Sequence, residues 1–172
     1  MVSALVLVGA PGSGKSSVLS ALTTLLEVEG IAYGAIETEQ LSWGSPLLPT
    51  EDWLPQLAAI MAIQRRAGRT LFLIAATTET TSELRGVVDA VAAESVIVVC
   101  LTASPKVVAA RIAEREPDAW PGKQRLIAHA DRLAQTIPLI DDIDIVVDTE
   151  NRDPGEVARE VREAMTRRAP TG

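Results

Sequence analysis

The sequence predicts a three-layer α/β domain, in which helices cover both faces of a parallel sheet. Five short apolar segments alternate along the chain with six longer segments of helical character. Strands that are apolar on both faces are typical of parallel sheets covered on both sides. Because strands and helices alternate, right-handed crossovers are expected to place helices on either side of one sheet.

The predicted strands are short runs rich in Val, Ile, Leu and Ala. In chain order they span residues 2–8, 31–37, 70–76, 95–101 and 143–148. The first run follows no basic segment and is too short to cross a membrane, so we interpret it as a buried strand of a cytoplasmic protein. Cys100 lies inside the fourth run and is predicted to be a small core residue.

The predicted helices are bounded by capping and stop signals. Thr50, Ser104 and Asp153 have side chains suited to an N-cap, and the last two precede a proline at the first helical position. Gly30 and Gly68 indicate helix ends. The helices are predicted over residues 15–27, 51–67, 82–93, 105–116, 123–135 and 154–167.

The length and composition of the chain fit one globular domain. Of its 172 residues 47% are hydrophobic and 23% charged, which is ordinary for a soluble domain. We predict a single domain over residues 1–168 and a disordered tail over 169–172. A net charge of -7 and an aromatic content of 3% argue against nucleic-acid or anionic-membrane binding. The sequence leaves the oligomeric state open.

A glycine-rich segment, GAPGSGKS at residues 9–16, follows the first strand and matches the Walker A pattern. Gly12 and Gly14 allow successive backbone N–H groups to point at a phosphate, and the following helix N-terminus also favours an anion. Lys15 supplies a cation to the outer phosphates, and the Ser16 hydroxyl can ligate Mg²⁺. The segment predicts binding of an ATP-like nucleotide by Gly9, Ala10, Pro11, Gly12, Ser13, Gly14, Lys15, Ser16 and Ser17.

Signatures of nucleotide hydrolases are absent from the sequence. The Asn-Lys-x-Asp and Asp-x-x-Gly motifs of GTPases do not occur, nor does the Leu-Ser-Gly-Gly-Gln signature of transporters. Motor ATPases carry an acid directly after a core strand, whereas Thr77 and Thr102 occupy the corresponding positions here. These absences favour a small phosphotransferase, whose acceptor is a bound molecule rather than water.

In its P-loop and its order of elements the chain resembles the kinases of the nucleoside-monophosphate kinase and shikimate/gluconate kinase group. The resemblance covers nearly the whole chain, and the P-loop is its specific part. It implies the P-loop NTPase fold, with a five-stranded parallel sheet of order 2-3-1-4-5. It also implies an ATP- and Mg²⁺-dependent kinase that transfers the γ-phosphate to a small-molecule acceptor.

The acceptor signatures of this group are not intact. The third strand ends in Ala-Ala-Thr-Thr, in place of the Asp-Gly and arginine motif of nucleoside-monophosphate kinases or the glycine run of shikimate kinases. The acceptor is therefore left unidentified. A nucleotide-binding regulatory or accessory ATPase with little phosphotransfer is the alternative hypothesis.

Two acids, Glu37 and Glu39, lie at the end of the second predicted strand. Carboxylates spaced by one residue share a strand face, and the carboxyl end of a parallel sheet is where ligands bind. Shikimate-kinase-like enzymes carry Asp-x-Asp there, so the resemblance implies that Glu37 contacts the Mg²⁺ shell and Glu39 holds the acceptor hydroxyl. A solvated acidic loop is the alternative.

Arg111 and Arg115 are spaced to share one helix face, just before a predicted lid over residues 117–122. The resemblance implies that one arginine lies near the adenine and the other reaches phosphate, which the planar guanidinium binds bidentately. Pairing with nearby acids, or plain solvation, is the alternative.

Two further loops carry candidate contacts. The resemblance places an adenine pocket in the loop after the last strand, with Asn151 and Arg152 as candidates, although a loop without function is equally compatible. It places the acceptor near residues 42–49, where Trp43 either stacks on a substrate or anchors the core. His129, within a helix, is predicted to be a surface or packing residue.

Overall fold

A computed structural model describes residues 1–168, and these residues form five strands and seven α-helices. The strands are β1 (Ser3–Val8), β2 (Tyr33–Glu37), β3 (Leu71–Ala76), β4 (Ser95–Thr102) and β5 (Ile145–Asp148). The helices are α1 (Lys15–Val28), α2 (Glu39–Ser42), α3 (Thr50–Arg66), α4 (Thr81–Val91), α5 (Pro105–Arg115), α6 (Lys123–Thr136) and α7 (Pro154–Arg168). The predicted tail, 169–172, lies outside the described residues, and the single-domain assignment stays a prediction.

All strand pairs are parallel, and the sheet order is β2-β3-β1-β4-β5. The central strand β1 pairs with β3 and β4, so that Val8 lies beside Ala76 on one side and Cys100 on the other. The predicted strand order is therefore confirmed. Because every strand runs the same way, all five carboxyl ends meet at one edge of the sheet, where ligands bind in open α/β folds.

The two faces of the sheet carry separate apolar clusters. Leu5 and Leu7 of β1 face α1 and α7, where they join one cluster. Val6 and Val8 point to the opposite face and join a second cluster with α3, α4 and α6. This alternation along β1 is the period-2 pattern of a strand covered on both faces. The predicted three-layer architecture is confirmed.

Cys100 is fully buried in the second of these clusters. Burial raises the pKa of its thiol to about 11, so the thiolate that reacts with oxidants or metals is not formed at neutral pH. The prediction that Cys100 is a small core residue is confirmed.

Of the three predicted N-cap residues, two differ from prediction and one behaves as expected. Thr50 lies inside α3 rather than capping it, since Pro49 is the N-cap residue. Ser104 precedes α5 as predicted, but its side chain makes no capping bond, and its backbone N–H instead donates to Glu150 Oε2 at 3.0 Å. Asp153 does cap, because its Oδ1 accepts the Gly155 N–H at 2.8 Å. A threonine or serine in the sequence therefore locates a helix start to within one residue. It does not show which group accepts hydrogen bonds from the first backbone N–H groups of the helix.

Helix α2 was not predicted from sequence. It has only four residues, too few to show an apolar period. Within residues 1–168 no helix is long and apolar enough to cross a membrane. The cytoplasmic location stays a prediction.

Candidate active site

The glycine-rich loop between β1 and α1 is tightly held. Gly9, Gly12 and Gly14 have φ of 152°, 81° and 97°, in the region that side chains disfavour. A Cβ on Gly9 would lie 2.5 Å from the Leu101 carbonyl oxygen, and one on Gly12 would lie 2.8 Å from that of Val108. Glycine is therefore required at both positions because the β4–α5 backbone passes against the loop.

Lys15 begins α1 with its side chain buried, 6% exposed. Its Nζ donates to the carbonyl oxygens of Gly9 (2.9 Å) and Ala10 (3.2 Å) and lies 3.7 Å from Glu39 Oε1. Burial lowers the pKa of Lys15 below the ordinary lysine value, while the carboxylates of Glu39 and Glu37 oppose that shift. A phosphate anion in place of the two carbonyl contacts would favour the charged amine further.

Ser16 and Glu37 meet in the cleft in front of this loop. The Ser16 hydroxyl donates to Glu37 Oε2 at 2.9 Å, which brings together the two predicted metal ligands. In residues 1–168 there is no group of three or more His, Cys, Asp or Glu side chains that could hold a metal. These two oxygens fit Mg²⁺, which is usually bound by one or two protein oxygens together with water and phosphate oxygens.

Glu39 lies beside Lys15 but on a different element from Glu37. Thr38 has helical dihedrals, so β2 ends at Glu37 and Glu39 begins α2. The expectation that both carboxylates project from one strand face is wrong, although both reach the same cleft. Glu39 Oε1 accepts a hydrogen bond from the Thr77 hydroxyl at 2.6 Å. Both acids have hydrogen-bond partners in the cleft, and their catalytic roles stay a prediction.

Arg111, on α5, contacts both the glycine-rich loop and the segment after β5. Its guanidinium donates to the carbonyl oxygens of Gly12 (3.1 Å) and Thr149 (2.9 Å). Thr149 Oγ1 in turn lies 2.9 Å from the Ser13 carbonyl oxygen. Arg111 therefore braces the glycine-rich loop against the segment after β5. Thr149 was missed from sequence, since a lone threonine after a strand carries no signal of such a contact.

Arg115, one turn further along α5, is exposed and lines the cleft. Its Nε lies 2.7 Å from Glu116 Oε1, so the pairing with a neighbouring acid considered from sequence does occur. The predicted lid, residues 117–122, follows directly. The buried Lys123 holds its start by donating to the carbonyl oxygens of Ala113 (2.6 Å) and Glu116 (2.8 Å) and to Asp118 Oδ1 (2.6 Å).

The two candidate base contacts after β5 lie apart from the cleft lining. Asn151 is exposed with φ of 56°. Arg152 donates to the Asp148 carbonyl oxygen (3.1 Å) and to Glu160 Oε2 (2.7 Å). Their role at the base stays a prediction. His129, as expected, is a surface residue that contacts another side chain, with Nε2 3.0 Å from Glu79 Oε1.

These elements enclose a cleft of about 850 Å³, which we name the phosphate cleft. It is lined by Pro11, Gly12, Gly14, Lys15, Ser16, Ser17, Glu37, Glu39, Gln40, Trp43, Arg111, Glu114, Arg115, Glu116 and Leu126. All five predicted catalytic residues are in this lining. Trp43 is 76% exposed, so the interpretation of Trp43 as a core anchor is wrong.

A second, smaller pocket of about 140 Å³ adjoins the cleft, and we name it the acceptor pocket. It is lined by Thr38, Glu39, Ser42, Thr50, Trp53, Thr77, Thr78, Glu79 and Glu83. Glu39 lines both spaces. Of this lining, the sequence indicates only Glu39 and the neighbourhood of Ser42. Thr38, between β2 and α2, was missed, as were the residues that follow β3 or lie in α3 and α4, because they carry no local motif for such a pocket.

No protein-family model matches the chain, and no curated protein matches it by sequence. Solved structures do match, and they define the class of fold: that of the P-loop small-molecule kinases. The predicted resemblance is thus confirmed at the level of the fold.

Three of these structures show the extent of the likeness. A sugar kinase from Janibacter sp. has a TM-score of 0.67 and 19% identity, over 96% of this chain and 95% of its own. A gluconokinase from Sinorhizobium meliloti has a TM-score of 0.63 and 24% identity, over 96% and 92%. The Mycobacterium tuberculosis APS kinase, in complex with AMPPNP and APS, has a TM-score of 0.65 and 17% identity, over 96% and 98%.

Proposed function

We propose that the protein is an ATP-dependent kinase that transfers the γ-phosphate to a small hydroxyl-bearing molecule. The observation that carries this proposal is the position of Glu39, which lines both the phosphate cleft and the acceptor pocket. A carboxylate between a phosphate site and an adjoining polar pocket is where phosphoryl transfer needs a group to orient the acceptor. Structures of the same fold include a sugar kinase and a gluconokinase.

The glycine-rich loop would bind the ATP phosphates through its backbone N–H groups, and Lys15 would contact the β- and γ-phosphates. Arg115 lines the cleft opposite and is free to turn from Glu116 toward phosphate oxygens. Arg111 would hold the loop in shape and face the base, because its guanidinium lies between the loop and Thr149. Asn151 and Arg152 are proposed to border the base.

Ser16 and Glu37 would hold Mg²⁺, since their oxygens already converge. The ion, when bound, neutralises charge on the β- and γ-phosphate oxygens. Ser16 supplies its hydroxyl oxygen and Glu37 a carboxylate oxygen, either directly or through water. Both side chains are exposed or half-buried at the cleft, so no rearrangement of the core is required.

The transfer itself would use Glu39. The acceptor oxygen attacks the γ-phosphorus, the bond from that phosphorus to the β–γ bridging oxygen breaks, and ADP leaves with the electron pair. Glu39 accepts the hydroxyl proton and passes it to solvent, while Lys15, 3.7 Å away, offsets the charge of the phosphates. Closure of residues 117–122 over the cleft would exclude water, which otherwise competes as acceptor.

The experiment is a screen for ADP release with a panel of hydroxyl-bearing metabolites. A kinase releases ADP much faster with one class of metabolite than with none, and the metabolite gains one phosphate by mass. Tight ATP binding without any acceptor-dependent ADP release would instead support the alternative, a nucleotide-binding regulatory protein. Lys106→Ala, at an exposed lysine of α5, is the matched control for variants of Lys15.

A further inference from the structure

We infer that the phosphate acceptor carries a cationic amine besides its hydroxyl groups, as an amino sugar or a short amino alcohol does. The inference rests on the proposed function, because it concerns the occupant of the acceptor pocket. It depends on three features of that pocket: the charge of its lining, an unpartnered hydroxyl, and its size.

The lining of the acceptor pocket is acidic. It contains the carboxylates of Glu39, Glu79 and Glu83, and no Lys, Arg or His side chain of residues 1–168 is part of it. Basic side chains do lie behind two of these acids. Lys15 is 3.7 Å from Glu39, and Glu79 faces His129 at 3.0 Å and Arg132 at 3.5 Å.

Lys15 belongs to the phosphate side, where ATP would add several negative charges, so it does not make the pocket cationic. His129 and Arg132 lie behind Glu79 on α6 and are not part of the lining. Glu83 has no cationic side chain within ion-pair distance among residues 1–168, and its Oε2 accepts only the Glu79 backbone N–H. An anionic acceptor would therefore meet like charge, whereas an ammonium group would gain an acidic partner.

A second, independent observation points to a ligand. Thr78 lines the pocket and is 1% exposed, and its hydroxyl has no hydrogen-bond partner within residues 1–168. Buried hydroxyls are almost always paired, and one that is not paired is destabilising. A polar group of a bound molecule would supply the missing partner. Threonine or serine hydroxyls are also present at Thr38, Ser42, Thr50 and Thr77, which suits an acceptor with several hydroxyl groups.

The pocket of about 140 Å³ is small, since a cavity of roughly 150 Å³ holds one benzene ring. Glu39 lines both this pocket and the phosphate cleft. An occupant with an ammonium group toward Glu83 and a hydroxyl toward Glu39 therefore presents that hydroxyl to the γ-phosphate. The amine stays protonated and has no free electron pair, so the phosphate is transferred to oxygen: the new bond is P–O, and the hydroxyl proton leaves through Glu39.

The test uses acceptors that are matched in size and differ in charge. One series is glucosamine, glucose and gluconate; the other is 3-amino-1,2-propanediol, glycerol and glycerate. ADP release gives kcat/KM for each, and ligand-observed NMR with AMPPNP present gives binding without transfer. We expect the cation of a series to exceed its anion by about tenfold or more in at least one of these measurements.

The outcomes separate the two proposals. If an anion is the better substrate or ligand of its series, or no cation binds better than its matched anion, the inference is wrong, while turnover of any acceptor leaves the kinase assignment in place. If cations bind preferentially and none is phosphorylated, the pocket assignment stands and the kinase assignment fails.

A charge variant tests the pocket directly. Glu83→Gln removes one carboxylate at constant shape and should lower the ratio of glucosamine to glucose kcat/KM, or the corresponding ratio of affinities, by about fivefold or more. Glu51→Gln, at an exposed acid of α3 outside the pocket lining, should leave this ratio unchanged. Equal ratios in Glu83→Gln and Glu51→Gln would overturn the role of Glu83 and with it the cationic acceptor.

Discussion

The phosphate cleft and the acceptor pocket adjoin at Glu39 but are built in opposite ways. The largest single contribution to the lining of the cleft comes from one continuous segment, residues 11–17, which Arg111 braces. The acceptor pocket takes its lining from the ends of β2 and β3, from α2 and from the starts of α3 and α4. The lining of the cleft includes Lys15 and two arginines, whereas the lining of the pocket consists of three carboxylates, hydroxyls and Trp53, with no basic side chain from the described residues.

This difference shows in which half of the site a residue can be replaced without disturbing the rest of the fold. Gly9 and Gly12 are fixed by the backbone against which they pack, so the phosphate half depends on the fold itself. The acceptor half consists of side chains on separate elements, and any one of them can change without disturbing the loop. Variants that affect one half and not the other are therefore the sharpest test of the comparison.

The largest expected effect comes from Lys15→Ala. It removes the one cation that is buried within the glycine-rich loop, so we expect ATP affinity or turnover to fall by about 10²–10³-fold or more. The fold should persist, because the sheet and both apolar clusters are untouched. Calorimetric titration of ATP, with Lys106→Ala as control and circular dichroism to verify folding, measures the effect. Unchanged affinity would remove the basis for assigning the loop to ATP.

Glu39→Gln should slow phosphate transfer by about 10²-fold if Glu39 accepts the acceptor proton. ATP affinity should change little, since Glu39 contacts Lys15 and Thr77 rather than the loop backbone. Single-turnover ADP release and calorimetry separate the two quantities. Loss of ATP binding in parallel with loss of transfer would show that Glu39 serves the nucleotide side.

Glu37→Gln should instead weaken the binding of Mg²⁺. Its carboxylate accepts from the Ser16 hydroxyl, and loss of the charge should raise the Mg²⁺ concentration for half-maximal activity by about tenfold or more. Mg²⁺ titrations of Glu37→Gln and Glu39→Gln at saturating ATP provide the comparison. The same Mg²⁺ dependence in both variants would contradict the division of roles between the two acids.

The glycine-rich loop and the five strands could be predicted from the sequence because both depend on local patterns, whereas the strand order followed from the resemblance to the P-loop kinases. Residues 9–16 carry their own backbone geometry, and five apolar runs predict the strands. Thr78, Glu83 and Thr149 could not be predicted, because each gains its position only when separate strands and helices come together. The short helix α2 was missed for a related reason, since four residues show no period.

The predicted lid can be followed by fluorescence. Trp120 lies in residues 117–122 and is 42% exposed, while Trp53 is 8% exposed. In a variant that retains Trp120 alone, with Trp43 and Trp53 replaced by Phe, AMPPNP should shift the emission because closure over the cleft buries the ring. A variant that retains Trp53 alone is the control for changes in the body of the protein. Emission from Trp120 that is indifferent to AMPPNP would contradict closure.

The smallest expected effect comes from replacing two buried hydroxyls that lack a hydrogen-bond partner among the described residues, one in each half of the site. These replacements compare the two halves directly. Ser13 in the glycine-rich loop and Thr78 in the acceptor pocket both lack a hydrogen-bond partner among the described residues. Replacing such a group by an apolar one of similar shape removes a desolvation cost of about 1 kcal/mol or more. Ser13→Ala and Thr78→Val should therefore each raise the melting temperature, by about 2–4 °C.

The functional consequences of these two variants should differ. Ser13→Ala should leave ATP affinity nearly unchanged, because the loop is expected to bind phosphate through backbone N–H groups. Thr78→Val should raise the acceptor KM severalfold at unchanged ATP KM, since it removes the hydroxyl that an acceptor would satisfy. Thr77→Val is the matched control: its hydroxyl already donates to Glu39, so the variant should lose stability. If Thr78→Val gains stability and its acceptor KM is unchanged, the Thr78 hydroxyl only destabilises the fold and does not contact the acceptor.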